Sequence, residues 1–161
     1  MSEVIVQLNW AQIYSGAIVG IMRQVQNIDF KSRDRYGRSN GADWQDGIES
    51  CLAEMAVANY LGLYWDGNIG NYNAPDVGPY QVRHTSWPNG CLLLHKQDKD
   101  EEACVLAIGK NGHYRLAGWA WIGEMKKDEY WMDKGNGRPC YFVPQTDLRP
   151  MAELKAITWS S

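Results

Sequence analysis

The chain has 161 residues, a net charge of −3 and 45% hydrophobic residues. That length suits one domain with a sizeable core, and that apolar fraction excludes a disordered chain. The acidic balance excludes a chain-wide basic surface for nucleic acid, so any such contact must come from a local patch.

Residues 3–8, "EVIVQL", are short, β-branched and apolar, and predict a strand. Asn9 with Gln12 three residues later forms a capping box that opens a helix. In it, apolar residues recur at 10, 14, 17, 18, 21, 22 and 25, a 3.6-residue period. Gly16 and Gly20 weaken this helix but allow another element to pack closely. Residues 29–43 read as a polar loop carrying Lys31, Arg33, Arg35 and Arg38, the most basic stretch of the chain. Such a loop is either simply solvated or a contact for nucleic-acid phosphates.

A second helix follows over 43–62, with Asp43 as its cap and Gly62 as its stop. Its inward stripe is Trp44, Ile48, Cys51, Leu52, Met55 and Asn59; Glu54 sits one position off it, at the boundary of the core. From residue 69 the period changes to two. Asn-Gly pairs at 89–90 and 111–112 are strong hairpin signals. They predict a meander of about four strands: 80–87, 91–96, 103–109 and 113–121. The loop 96–102 is expected to be exposed. Residues 124–136 predict a short helix plus loop, 139–144 a last strand, and 146–157 a turn or short helix. The order gives one α+β domain over 1–161, a sheet covered by helices.

No apolar run approaches the ~20 residues that a bilayer needs, and "MSEVIVQLNW" lacks the basic lead of a signal peptide. A cytoplasmic protein with no membrane partner is expected. Cys51, Cys91, Cys104 and Cys140 form no CxxC pair and no zinc pattern with the three His, so they are expected as reduced core residues. No G-x-S-x-G and no P-loop occurs. The eight Trp and nine Tyr fit a packed core, with some rings on a binding surface as the alternative.

The chemistry-bearing stretch is "APDVGPYQVRHTS", residues 74–86. On one straight strand Asp76 and Gln81 would lie about 16 Å apart at ~3.3 Å per residue, on opposite faces. Gly78-Pro79 permits a sharp turn that folds Asp76 back beside the next strand, where it and Gln81 can converge. Arg83 follows one pleat along the face of Gln81. Two oxygen ligands can hold Mg²⁺ with waters, the metal can polarise a phosphate, and a cation can steady the transition state. Glu54 could complete the metal shell or orient the water. Simpler readings stand beside this one. Asp76 is also a good turn residue, Gln81, Arg83 and Thr85 also suit the solvated face of an edge strand, and Glu54 suits a helix surface.

"PD…QVR", preceded by the helix phrase "AEMAVANYLGL", resembles the PD-(D/E)XK nuclease superfamily, the restriction-endonuclease-like fold. The resemblance covers about residues 43–121. It implies that Glu54 corresponds to the helix acid, Asp76 to the motif Asp, Gln81 to the variable second ligand and Arg83 to the Lys. It also implies a metal-bound Val82 carbonyl, a Mg²⁺ or Mn²⁺ cofactor, and DNA as substrate. Size and style resemble those of small phage-encoded proteins. Two departures stand out. Gln81 removes a negative charge, and Arg83 replaces a compact cation with a broad, always-charged fork. Lys96 is a candidate substitute for the missing Lys. The expected function is a divalent-metal-dependent DNA nuclease. The rival is a catalytically inactive nuclease-fold module that binds DNA or a host protein. A third class is an interaction protein with exposed Trp119, Trp121 and Trp131, and a homodimer is an open partner form.

Overall fold

The structure, a computed structural model, describes residues 3–29, 43–71 and 73–160. The basic residues Lys31, Arg33, Arg35 and Arg38 lie outside the described residues. Strand β1 (Val4–Gln7) leads into helix α1 (Trp10–Asp29). The capping box forms as the spacing predicts: Asn9 N–H donates to Gln12 Oε1 and Gln12 N–H to Asn9 Oδ1, both at 2.9 Å. Helix α2 (Asp43–Leu61) ends at Gly62, whose φ of 69° only glycine adopts at low cost.

Strands β2 (Tyr80–Thr85), β4 (Ala103–Lys110) and β5 (His113–Trp121) join β1 in a mixed sheet of order β1-β5-β4-β2. The Asn111-Gly112 hairpin links β4 to β5, with φ of 56° and 84°, the two positive values that a type I′ turn requires. Asn89-Gly90 behaves differently. Gly90 N–H closes a turn on Trp87 O, but β3 (Leu92–Leu94) does not pair with β2. It pairs antiparallel with β7 (Cys140–Val143), which also pairs with β6 (Trp131–Met132), forming a second sheet of order β3-β7-β6. The expected four-strand meander is thus broken. Pro88 stands just before the turn and has no N–H to give a β2–β3 ladder. Leu92 and Leu94 are instead fully buried between the sheets. With β3 gone, β2 pairs parallel with β4 and becomes an edge strand.

The four-stranded sheet is therefore covered on both faces. Tyr80, Val82, Val105 and Leu116 face α2 and the C-terminal helix α4 (Met151–Ser160). Cys104, Leu106 and Ile108 face the second sheet, with Ile122 and Met125 of the short helix α3 (Ile122–Met125). Residues 51–58 of α2 are all buried, so this helix has no single inward stripe; Asn59, expected inside, is exposed. Trp119 is also fully buried, its indole N–H donating to Pro150 O, and Trp121 packs edge-on against it at 5.5 Å. Trp119 is thus a core residue rather than part of an exposed Trp surface. No helix of the described residues is long and apolar enough to cross a membrane.

Gly20 shows why α1 carries glycines. A Cβ there would lie 2.7 Å from Ile48 Cα and 3.0 Å from Gly47 O. Gly20→Ala is therefore expected to destabilise the protein by about 1–3 kcal/mol despite alanine's better helix propensity. Urea unfolding followed by circular dichroism checks this, and an unchanged or raised midpoint would contradict it.

Candidate active site at the free edge of β2

Asp76 reaches β2 through a tight turn. Val77 N–H donates to Tyr80 O at 3.0 Å and Tyr80 N–H to Val77 O at 2.9 Å, across Gly78 with φ of 53°. The Gly-Pro break thus folds the chain back on itself. Asp76 Oδ2 then accepts the Val82 N–H at 2.8 Å. Among the described residues β2 bonds one neighbour, β4, along the other edge, so this bond marks the free edge of the described sheet. The N–H and C=O of one strand residue point the same way, so the Val82 carbonyl projects beside Asp76.

Glu54 approaches from the α2 face. It is 5% exposed, deeper than the core-boundary place its spacing predicts. Arg23 grips it in bidentate fashion at 2.8 and 3.1 Å, and Trp65 Nε1 adds a third bond at 2.9 Å. Its charge is therefore largely balanced inside the fold. Burial works against the Arg23 charge, but the hydrogen bond and charge of Glu54 outweigh it and hold the guanidinium more firmly protonated.

Gln81 and Arg83 point the other way, toward the second sheet, because side chains alternate along a strand. Gln81 Nε2 donates to Glu102 Oε2 at 2.8 Å. A carboxylate only accepts, so this assigns the nitrogen and leaves Gln81 Oε1 as the end that can face a cation. Arg83 Nη2 bonds Asp98 Oδ1 at 3.1 Å. Asp98 and Glu102 come from the 96–102 loop that was expected to be exposed; their side chains are only 7% and 13% exposed. The loop turns them inward because two half-buried polar groups on β2 need partners. Lys99 extends the chain of contacts, 3.4 Å from Glu102 Oε1. Lys96 leaves with β3 and lies over the Trp131 ring at 4.5 Å. His84 Nε2 contacts Gly109 O at 2.8 Å, and its ring meets Tyr114 edge-on.

The electrostatics centre on Asp76. Its pKa is pushed from 3.8 to about 7, first by burial and then by the Glu54 charge, against the Val82 hydrogen bond, Arg83 and Arg23. Asp76 also acts on two thiols. Cys51 is pushed up to about 12 by burial and by Glu54, with Asp76 adding to them. Cys104 is pushed to about 12 by burial, with Arg83 opposing and Asp76, Asp98 and Glu102 adding. Glu54 and Arg83 thus both lie within electrostatic reach of Asp76.

Among the described residues no three His, Cys, Asp or Glu side chains form a cage for a metal ion. This sparse donor set is unlike a zinc site. Mg²⁺ and Mn²⁺ can be held by one or two carboxylates with other oxygens and retained waters, and Asp76 with the Val82 carbonyl supplies oxygens of that kind. The buried carboxylate with a raised pKa is the observation that fits a cation, because a bound positive charge relieves the cost of ionising it. Arg23, Asp98, Glu102 and Lys99 are not marked by the motif. For Arg23, the one charged residue between positions 10 and 28 was a visible signal. The loop acids carried none, since acids in a polar loop are common. Compared with protein-family models, curated proteins and solved structures, the chain matches none, so its likeness to the nuclease superfamily rests on the residues of the motif themselves.

Proposed function

We propose that this chain is a divalent-metal-dependent DNA nuclease of the restriction-endonuclease-like fold with a variant Glu-Asp-Gln-x-Arg site. One observation carries the reading: the Val77–Tyr80 turn sets Asp76 on the free edge of β2, bonded to Val82 N–H, with Glu54 and Arg83 close enough to act on its charge. Asp76, the Val82 carbonyl and Gln81 Oε1 would hold Mg²⁺ or Mn²⁺. When bound, the metal supplies a polarised phosphate and a more acidic water. Asp76 loses its proton to bind. Glu102 fixes the Gln81 amide so that its oxygen is presented. Asp98 holds Arg83, whose guanidinium would take up charge developing on the phosphate. Glu54, fixed by Arg23 and Trp65, acts on Asp76 through its charge and is a positioning group in this scheme. Lys31, Arg33, Arg35 and Arg38 are the proposed contacts to the DNA backbone.

A second reading keeps the fold without the chemistry: an inactive module binding DNA or a host protein. The closed Arg23–Glu54 pair favours it, because a family acid is there spent on an internal partner. Incubating the purified protein with supercoiled, linear and branched DNA plus Mg²⁺ or Mn²⁺ separates the two. The nuclease reading expects metal-dependent cleavage that Asp76→Ala abolishes. No cleavage of any substrate by the native protein would leave the inactive module.

A further inference from the structure

Helix α1 has its polarity reversed. Trp10 is 80% exposed, Tyr14 65%, Ile18 44%, Ile21 37%, Val25 44% and Ile28 55%. The inner side holds Gly16 and Gly20 against α2, and Arg23 bonded to Glu54. Arg23 is the one charged residue between positions 10 and 28. A surface helix normally shows the opposite arrangement.

The exposed residues are also spaced in a particular way. Ala11, Tyr14, Ile18, Ile21, Val25 and Ile28 follow steps of three, four, three, four and three. This is the a/d pattern of two helices packed along a common seam. Within that span the flanking positions hold Ser15, Ala17, Met22 and Gln24, none of them charged; the first charged flank is Asp29, at the end of the helix. In a coiled coil the flanking charges choose the partner; a seam without them neither repels its own copy nor selects a charged one. The helix is about 30 Å long at 1.5 Å per residue. With ~150–250 Å² for a large aromatic side chain and somewhat less for an aliphatic one, the exposed fractions leave roughly 500–800 Å² of apolar surface. A monomer rarely shows more than a few hundred Å² in one patch, while a standard interface takes ~800 Å² per partner.

We propose that α1 is a homodimer interface in which the Ala11–Ile28 seam packs against the same seam of a second copy about a two-fold axis. The occupant is a copy of this chain because the surface carries no charge along the seam to repel its own copy, repeats at coiled-coil spacing and approaches the area a dimer needs. The interface lies on the side of α1 opposite Arg23, so it is independent of the nuclease reading. It would still brace the helix that supplies the partner of Glu54.

Light scattering coupled to size exclusion, on the full chain from about 1 to 100 µM, tests it, because dimer content depends on protomer concentration. The native protein is expected at the mass of two chains. Ile18→Lys is expected to run as one chain with unchanged far-ultraviolet circular dichroism. Ile21→Ala, which keeps helix propensity, is expected to weaken dimerisation about tenfold or more and decides the matter if Ile18→Lys fails to fold. A monomeric native protein at the highest concentration would overturn the proposal, including one that instead sediments with phosphatidylserine vesicles. So would folded variants that remain dimers with unchanged affinity.

Discussion

Asp76→Asn is expected to abolish metal-dependent cleavage while making the folded protein more stable above pH 7. The amide keeps an acceptor for the Val82 N–H and removes only the charge. In the native protein the folded-state pKa of Asp76, about 7, lies above its ordinary 3.8. The folded state therefore holds a proton that the unfolded state has already released between those values. Stability from this group is complete below about pH 4 and is lost as pH rises through about 7. The ionised carboxylate then costs the fold on the order of 2–4 kcal/mol, which the amide avoids. Activity should move the other way. A ligand supplying a few kcal/mol of transition-state stabilisation is worth ~10²–10⁴-fold in rate. Thermal unfolding at pH 5 and pH 8 with and without Mg²⁺ adds a readout independent of cleavage. Mg²⁺ should raise the native midpoint at pH 8 and do little at pH 5, where the proton competes for Asp76; Asp76→Asn should not respond. Equal responses at both pH values, or a response in the variant, would remove Asp76 as the ligand.

Arg23→Met carries the largest expected loss of stability. Glu54 is 5% exposed and takes two bonds from Arg23, so removing the cation leaves a buried carboxylate without its counter-charge. Breaking such a pair costs about 3 kcal/mol or more, which at this chain length lowers the melting temperature by roughly 6–12 °C. Adding Glu54→Gln should recover most of the loss, because the amide can still accept the Trp65 N–H and no longer needs a cation. A double-mutant cycle by thermal unfolding gives the coupling directly. Additive losses would mean that the two groups do not depend on each other. Glu54→Gln alone should also shift the Asp76 transition to lower pH, since the Glu54 charge is the second cause of its displacement.

Local signals decided much of the chain. The Asn9–Gln12 box, the Asn111-Gly112 hairpin and the turn at Gly78-Pro79 each lie within four residues, so local chemistry specified them. Those signals produced the α+β order and placed Asp76 at the start of β2. Three features depended on contacts far apart in sequence. Strand β3 left for a second sheet because Leu92 and Leu94 found burial against β7, some fifty residues away. The acids 98 and 102 turned inward because β2 presents the half-buried polar groups of Gln81 and Arg83 on that face, and both acids bond them. The apolar stripe of α1 turned outward because Gly16 and Gly20 allow an approach to α2 that no larger residue permits, and because Arg23 found Glu54 on α2. Periodicity shows that a helix has an apolar face. Which face turns inward follows from steric fit and charge pairing with the element beside it, and these exist only once the chain has folded.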